Sequence, residues 1–173
     1  MSTEPLSSAP ASADVTEIER ALTRITYLST RARRHDRLMA LAGVPLDRAA
    51  VALLRQIADT EPLRPGELAQ RLGVEASHVT RTVQHLEKSG HVVRVPDPDD
   101  GRAQRIQLTD DGRAAVERVR DAGARGMQAA LSDWTPEDLG QLAALFHRMV
   151  DDLLSHAVDE ETERTLPPPA GGA

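Results

Sequence analysis

Apolar residues return at Ile18, Leu22, Ile25 and Leu28, the three-and-four spacing that lines one side of an α-helix. The same period resumes at Ala50, Leu53, Leu54 and Ile57, after a proline at Pro45. Thr109, followed by Asp110 and Asp111, opens a helix expected to reach about Ser132, because a hydroxyl caps free N–H groups and acids suit the positive end of the helix dipole. Gly123 and Gly126 inside it each cost roughly 1 kcal/mol against alanine, so they point to a bend or a close helix contact. Thr135, Pro136 and Asp138 then cap a last helix, in which Leu139, Leu142, Ala143, Phe146, Met149, Val150 and Leu153 form a nearly unbroken apolar stripe.

The middle of the chain carries a tighter pattern. In PGELAQRLGVEASHVTRTVQHLEKSG, Leu68, Ala69 and Leu72 face inward from a short helix that stops at Gly73, and a second helix starts about four residues later. Such spacing predicts a helix-turn-helix. On the second helix Val79, Val83 and Leu86 share one side, which leaves Ser77, Arg81, Gln84, His85 and Lys88 on the other. Arginine grips guanine or phosphate, glutamine pairs with adenine, and serine and histidine donate or accept, so this side suits the major groove of DNA. After Gly90, the extended runs VVRV and AQRIQL flank PDPDDG, a turn-forming composition that predicts a hairpin. A recognition helix followed by a hairpin is the layout of a winged helix.

Composition narrows the reading. The 173 residues, 40% hydrophobic, suit one domain with appendages. There are no cysteines, which excludes disulfides and thiolate metal sites. MSTEPLSSAPASADV lacks the basic and apolar regions of a signal peptide, and no apolar run is long enough to span a bilayer, so a cytoplasmic protein without a membrane partner is expected. The net charge of −6 is unevenly placed. Residues 64–109 hold seven basic and six acidic side chains, whereas residues 110–173 hold six and thirteen. The helix-turn-helix and hairpin are thus slightly positive within an acidic chain, and they also carry His78, His85 and His91.

Arg102 stands at the tip of the predicted hairpin, beside three aspartates. A narrow minor groove concentrates negative potential and attracts an inserted guanidinium. Asp100, two residues earlier, is expected to hydrogen-bond that guanidinium and fix its direction. A plain surface pair is the alternative for these two, and a solvated polar face the alternative for the second helix. Arg94, on the first extended run, joins the candidate DNA contacts. His78 and His85 lie two turns apart, about 10 Å, too far for one metal, so base or phosphate contact is the better reading. His147 and Asp151 have metal-compatible spacing, yet an exposed helical pair is the ordinary explanation. Arg31, Arg33, Arg34 and Arg37 form the densest basic run, read as a solvated face with interchain pairs ahead of a DNA or anion contact. No Gly-rich phosphate loop, G-x-S-x-G or pair of carboxylates in an apolar setting occurs, so neither an enzyme nor a cofactor is expected.

The stretch ELAQRLGVEASHVTRTVQHLEKSGHVVRVPDPDDGRAQRIQLTDDGR resembles the MarR family of bacterial winged helix-turn-helix regulators. The likeness lies in ELA, in VTR followed by LEKSG, in the aspartate-rich wing and in the closing LT-x-x-G-R, and it extends over roughly residues 15–156. It implies a homodimer whose terminal helices interlock, two winged helices on a palindrome, and in most members repression relieved by a small ligand. By position, Asp100 and Arg102 match the family's Asp-x-Arg wing motif, and Thr80 and Arg81 its recognition-helix Thr-Arg. The chain also departs from the pattern. Gly101 replaces a common wing arginine, and Ala76, His78, Gln84 and His85 stand where arginine, threonine, aspartate and arginine are frequent. Arg64 and Gly66 replace the usual small hydroxyl residues, which points Arg64 toward a phosphate instead.

The expected fold class is mainly α with a small β-hairpin wing (α+β). A tail over 1–13 precedes a domain over 14–156, in which residues 46–109 form the winged helix and residues 14–42 and 110–156 a helical dimerisation region; an acidic, then Pro/Gly-rich tail covers 157–173. The expected function is sequence-specific double-stranded DNA binding by a homodimeric repressor released by a small molecule. With Tyr27, Trp134 and Phe146 as the aromatics, the effector pocket is expected to be aliphatic with an arginine. The rivals are a ligand-independent DNA-binding regulator and a winged helix used for protein contact.

Overall fold

The computed structural model describes residues 12–29, 31–60 and 62–165. In chain order it contains α1 (Ala13–Ser29), α2 (Ala32–Ala42), α3 (Arg48–Thr60), α4 (Pro65–Leu72), α5 (Ala76–Lys88), β1 (Val92–Pro96), β2 (Gln104–Leu108), α6 (Asp110–Ala130) and α7 (Pro136–Thr165). Two compact units meet within α6, after Met127.

In the first unit, α3, α4 and α5 pack through Leu53, Leu54, Ile57, Leu68, Val79, Val83 and Leu86, each no more than 2% exposed. Val92, Ile106 and Leu108 of the hairpin complete this core, as do Ala115, Val116 and Val119 of α6. The strands are antiparallel, with Arg94 opposite Ile106 and Val95 opposite Arg105. Leu63 exchanges two backbone hydrogen bonds with Ile106, tying the approach to α4 onto the outer edge of β2. The turn between α4 and α5 needs Gly73, whose φ of 61° lies in the left-handed region, and the N–H groups of Gly73 and Val74 return to the carbonyls of Gln70 and Ala69.

The LT-x-x-G run has a physical reason. The Thr109 hydroxyl donates to the Gly90 carbonyl at 2.6 Å and accepts the Gly112 N–H at 3.0 Å, capping α6 while fastening it to the end of the recognition helix. A Cβ on Gly112 would lie 2.0 Å from the His91 carbonyl oxygen, so only glycine fits.

In the second unit, α7 starts as expected: the Thr135 hydroxyl accepts the Asp138 N–H and donates to its carboxylate. Its apolar stripe is uncovered, from Leu139 at 36% exposed to Leu153 at 56%. On α1, Ile18, Ile25 and Leu28 are likewise about half exposed.

Three boundaries differ from expectation. α2 is a separate helix that the basic run concealed, since Met39 and Ala42 on its other side are buried. Ala13 already belongs to α1, and the helical backbone of α7 continues to Thr165, nine residues past the expected end at 156. α6 passes through Gly123 and Gly126 without interruption and stops at Ala130. The remainder of the two expected tails, residues 1–11 and 166–173, lies outside the described residues.

Candidate nucleic-acid interface

α5 buries Val79, Val83 and Leu86 and turns its other side outward. Ser77, His78, Arg81, Gln84, His85 and Lys88 are exposed there, and their side chains hold no hydrogen bond or ion pair with a described residue. The Thr80 hydroxyl donates to the Ala76 carbonyl at 2.9 Å, which uses its proton and leaves its oxygen able to accept. The outer side of α5 is therefore a row of solvent-facing donors and acceptors without protein partners among the described residues, on a well-packed helix.

The wing is held from beneath by Asp97, which is the single buried charged residue among those described. Its carboxylate accepts Arg64 Nε at 2.5 Å, and Arg105 Nε and Nη2 at 2.9 and 3.1 Å. The Asp99 N–H adds a fourth donor at 2.9 Å. Hydrogen bonds from Arg64 and Arg105 hold the Asp97 carboxyl well below the usual carboxylate range, outweighing the burial that pushes it up. Arg105 also reaches Asp99. Sequence reasoning missed Asp97 and Arg105. The hairpin register could have paired them, since Pro96 and Val95 oppose Gln104 and Arg105.

At the tip, Asp100 does not hold the Arg102 guanidinium as expected. Asp100 Oδ1 accepts the backbone N–H of Arg102 at 3.0 Å, and the Asp100 carbonyl accepts the N–H of Ala103 at 2.8 Å. The short side chain of aspartate reaches a backbone N–H two residues on more readily than an outstretched guanidinium. Asp100 thus fixes the turn, and the Arg102 guanidinium makes no hydrogen bond or ion pair with any described residue. Arg94 Nε donates to both oxygens of Glu87 at 3.0 Å, which aims it from β1 across the end of α5.

Two concavities accompany these elements. A cleft of about 450 Å³ between the start of α4 and the wing is lined by Arg64, Arg94, Arg102 and Gln104, and no acidic side chain lines it. An open cavity of about 660 Å³ at the α2–α3 junction is lined by Met39, Pro45, Leu46 and Ala49 together with His35, Arg48 and the carboxylates of Asp36 and Asp47. His35 Nε2 lies 2.9 Å from the Leu46 carbonyl, so Nε2 carries the proton there. Among the described residues no group of three or more histidines or carboxylates could hold a metal, and no helix is long and apolar enough to cross a membrane.

Fold and site define a winged helix-turn-helix protein. The sequence profile of the MarR family matches residues 44–103, the span from the approach to α3 through the wing. An uncharacterised helix-turn-helix transcriptional regulator of Bacillus subtilis, YxaD, is 26% identical over 104 residues, covering 60% of this chain and 73% of its own. The crystal structure of the transcriptional regulator Tm0710 from Thermotoga maritima superposes with a TM-score of 0.61 at 27% identity, over 83% of this chain and 98% of that one. The fold also matches a Staphylococcus aureus MepR variant bound to an oligodeoxyribonucleotide, with a TM-score of 0.54 at 20% identity, over 78% of this chain and 97% of that one. Over residues 44–103 the chain resembles the MarR family, and the relatives named above are transcriptional regulators.

Proposed function

We propose that this DNA-binding transcription regulator acts as a homodimer on a palindromic operator, represses the genes beside it, and is released by a small molecule. The observation that carries the DNA reading is the pairing of an outward α5 face without internal partners with a wing whose tip arginine is equally free. Arg81 and Gln84 suit base edges in the major groove, with Ser77, His78, His85 and Lys88 flanking them on bases or phosphates. Thr80 is left to accept a hydrogen bond, and Arg102 enters the adjacent minor groove from a turn that Asp100 has set. Arg64 and Arg94 stand at the phosphate backbone between the two.

Dimerisation is supported by the half-exposed apolar side chains of α1 and of α7, each a stripe that water would otherwise face. A two-fold dimer presents two recognition helices about 34 Å apart, one turn of duplex. Effector release is supported by the cavity at the α2–α3 junction, where Met39, Pro45 and Leu46 offer apolar surface and Arg48 a cation beside the carboxylates of Asp36 and Asp47. A ligand there that shifts α3 alters the spacing of the recognition helices. Screening aliphatic carboxylates for loss of operator affinity tests this last part, and a series that leaves affinity unchanged favours constitutive binding.

A further inference from the structure

We propose that Arg64 has two roles in the same contact: its Nε fixes the wing through Asp97, while its terminal nitrogens form, with Arg94 and Arg102, a seat for one phosphate of the DNA backbone. The proposal rests on the DNA-binding reading above and specifies what the cleft beneath the wing receives.

Two guanidiniums share the buried Asp97 carboxylate: Arg105 supplies two hydrogen bonds and also reaches Asp99, and Arg64 supplies one. Arg64 is drawn to it from 33 residues away and spends only Nε there. Its side chain stays 41% exposed, and it lines the cleft. The bond to Asp97 thus turns a flexible surface arginine into an oriented one, which reduces the entropy lost when it grips an anion. Arg94 is oriented in the same way by Glu87, with its Nε occupied on both carboxylate oxygens. Arg102 completes the set from the wing tip, and Gly101 beside it leaves the mouth open.

Arg64 and Arg94 are each paired with a carboxylate through Nε, which leaves their terminal nitrogens and the whole Arg102 guanidinium for an anion. Their planar donors match phosphate oxygens. The cleft lies between two elements that both approach DNA in the reading above, so the anion expected there is a backbone phosphate rather than a free one. The arrangement also gives Arg64 a consequence for specificity: gripping a phosphate through Arg64 fixes the wing by way of Asp97 and so aids the insertion of Arg102.

The test uses the full chain and a duplex selected for binding, with single neutral methylphosphonate linkages stepped along each half-site. For the wild-type protein, one position per half-site is expected to lose affinity more than its neighbours. In Arg64→Gln that position should lose much of its prominence over its neighbours, the salt slope should fall by roughly one per half-site, and the chain should stay folded, because Arg105 and the Asp99 N–H still hold Asp97. Arg64→Lys should restore the salt slope without restoring the full positional effect, because an ammonium cannot bond Asp97 and a phosphate with a fixed fork. An unchanged positional profile and slope in Arg64→Gln would overturn the seat and leave Arg64 as a wing support only. Inorganic phosphate that raises the melting temperature of wild type but not of Arg64→Gln, with every methylphosphonate position silent, would overturn it in favour of a free-anion site. Failure of wild type to select any duplex would overturn the DNA reading itself, an outcome distinct from both.

Discussion

Asp100 accepts the backbone N–H of Arg102 at 3.0 Å and leaves its guanidinium unpaired. The aspartate therefore shapes the turn, and in the proposed complex the arginine is the part that meets DNA. Arg102→Ala is expected to cost about 1 to 3 kcal/mol per operator contact and to lower the salt slope by roughly one per half-site, with A·T-rich flanks affected most. Asp100→Ala should cost less, and the double variant should bind like Arg102→Ala if the turn acts only by placing the arginine. Fluorescence titration at several salt concentrations measures all three, and unchanged binding by Arg102→Ala would return it to a bystander.

Asp97 sets the acid limit of the wing. Its carboxyl is held below the ordinary aspartate value of about 3.9, so between the folded and unfolded values the unfolded chain binds more protons. Stability from this group is full above about pH 4 and is lost as pH falls through the folded value. Asp97→Asn should lower the urea midpoint at neutral pH and flatten its decline below about pH 4. An equal decline in both proteins would show that other carboxylates govern the acid limb.

Gly112 is a packing requirement that can be tested apart from function. Gly112→Ala drives a methyl into the His91 carbonyl and is expected to destabilise the fold by about 1 to 3 kcal/mol. Gly123→Ala, in the same helix with no neighbour within 4 Å of a new Cβ, should instead gain about 0.4 to 1 kcal/mol. Chemical denaturation of both separates crowding from helix propensity, and a stabilised Gly112→Ala would contradict the close approach.

Much of this was legible from spacing alone. The period of Val79, Val83 and Leu86 fixes which side of α5 faces the core, and therefore which side is left for DNA. The prolines, aspartates and glycine of the wing mark the hairpin because they favour turns whatever surrounds them. What escaped depends on tertiary structure. Nothing local in Arg64 announces Asp97, and a basic run masked α2 because its buried side holds little more than Met39 and Ala42. The acidic residues 159–163 read as a solvated tail although glutamate is a good helix former, and α7 runs through them. Asp100 was assigned to the wrong group of the right residue.

The uncovered stripe of α7 carries the dimer proposal. Leu142→Asp is expected to shift sedimentation from dimer toward monomer, or to abolish the folded protein if no stable monomer exists, because the proposal has this exposed stripe bury against a second copy. An unaltered dimer would place the interface elsewhere. A wild-type protein that sediments as a folded monomer at micromolar concentration would remove the proposal altogether.

The central claim, that two copies read a palindrome through α5 and the wing, is tested most directly by selecting bound duplexes from a random library with the wild-type chain and sequencing them. The account predicts an inverted repeat with half-site centres about 10 bp or a multiple apart, A·T-rich where the wings reach, bound by two chains per duplex. Recovery of unenriched sequence, or of a single asymmetric half-site bound by one chain, would contradict it.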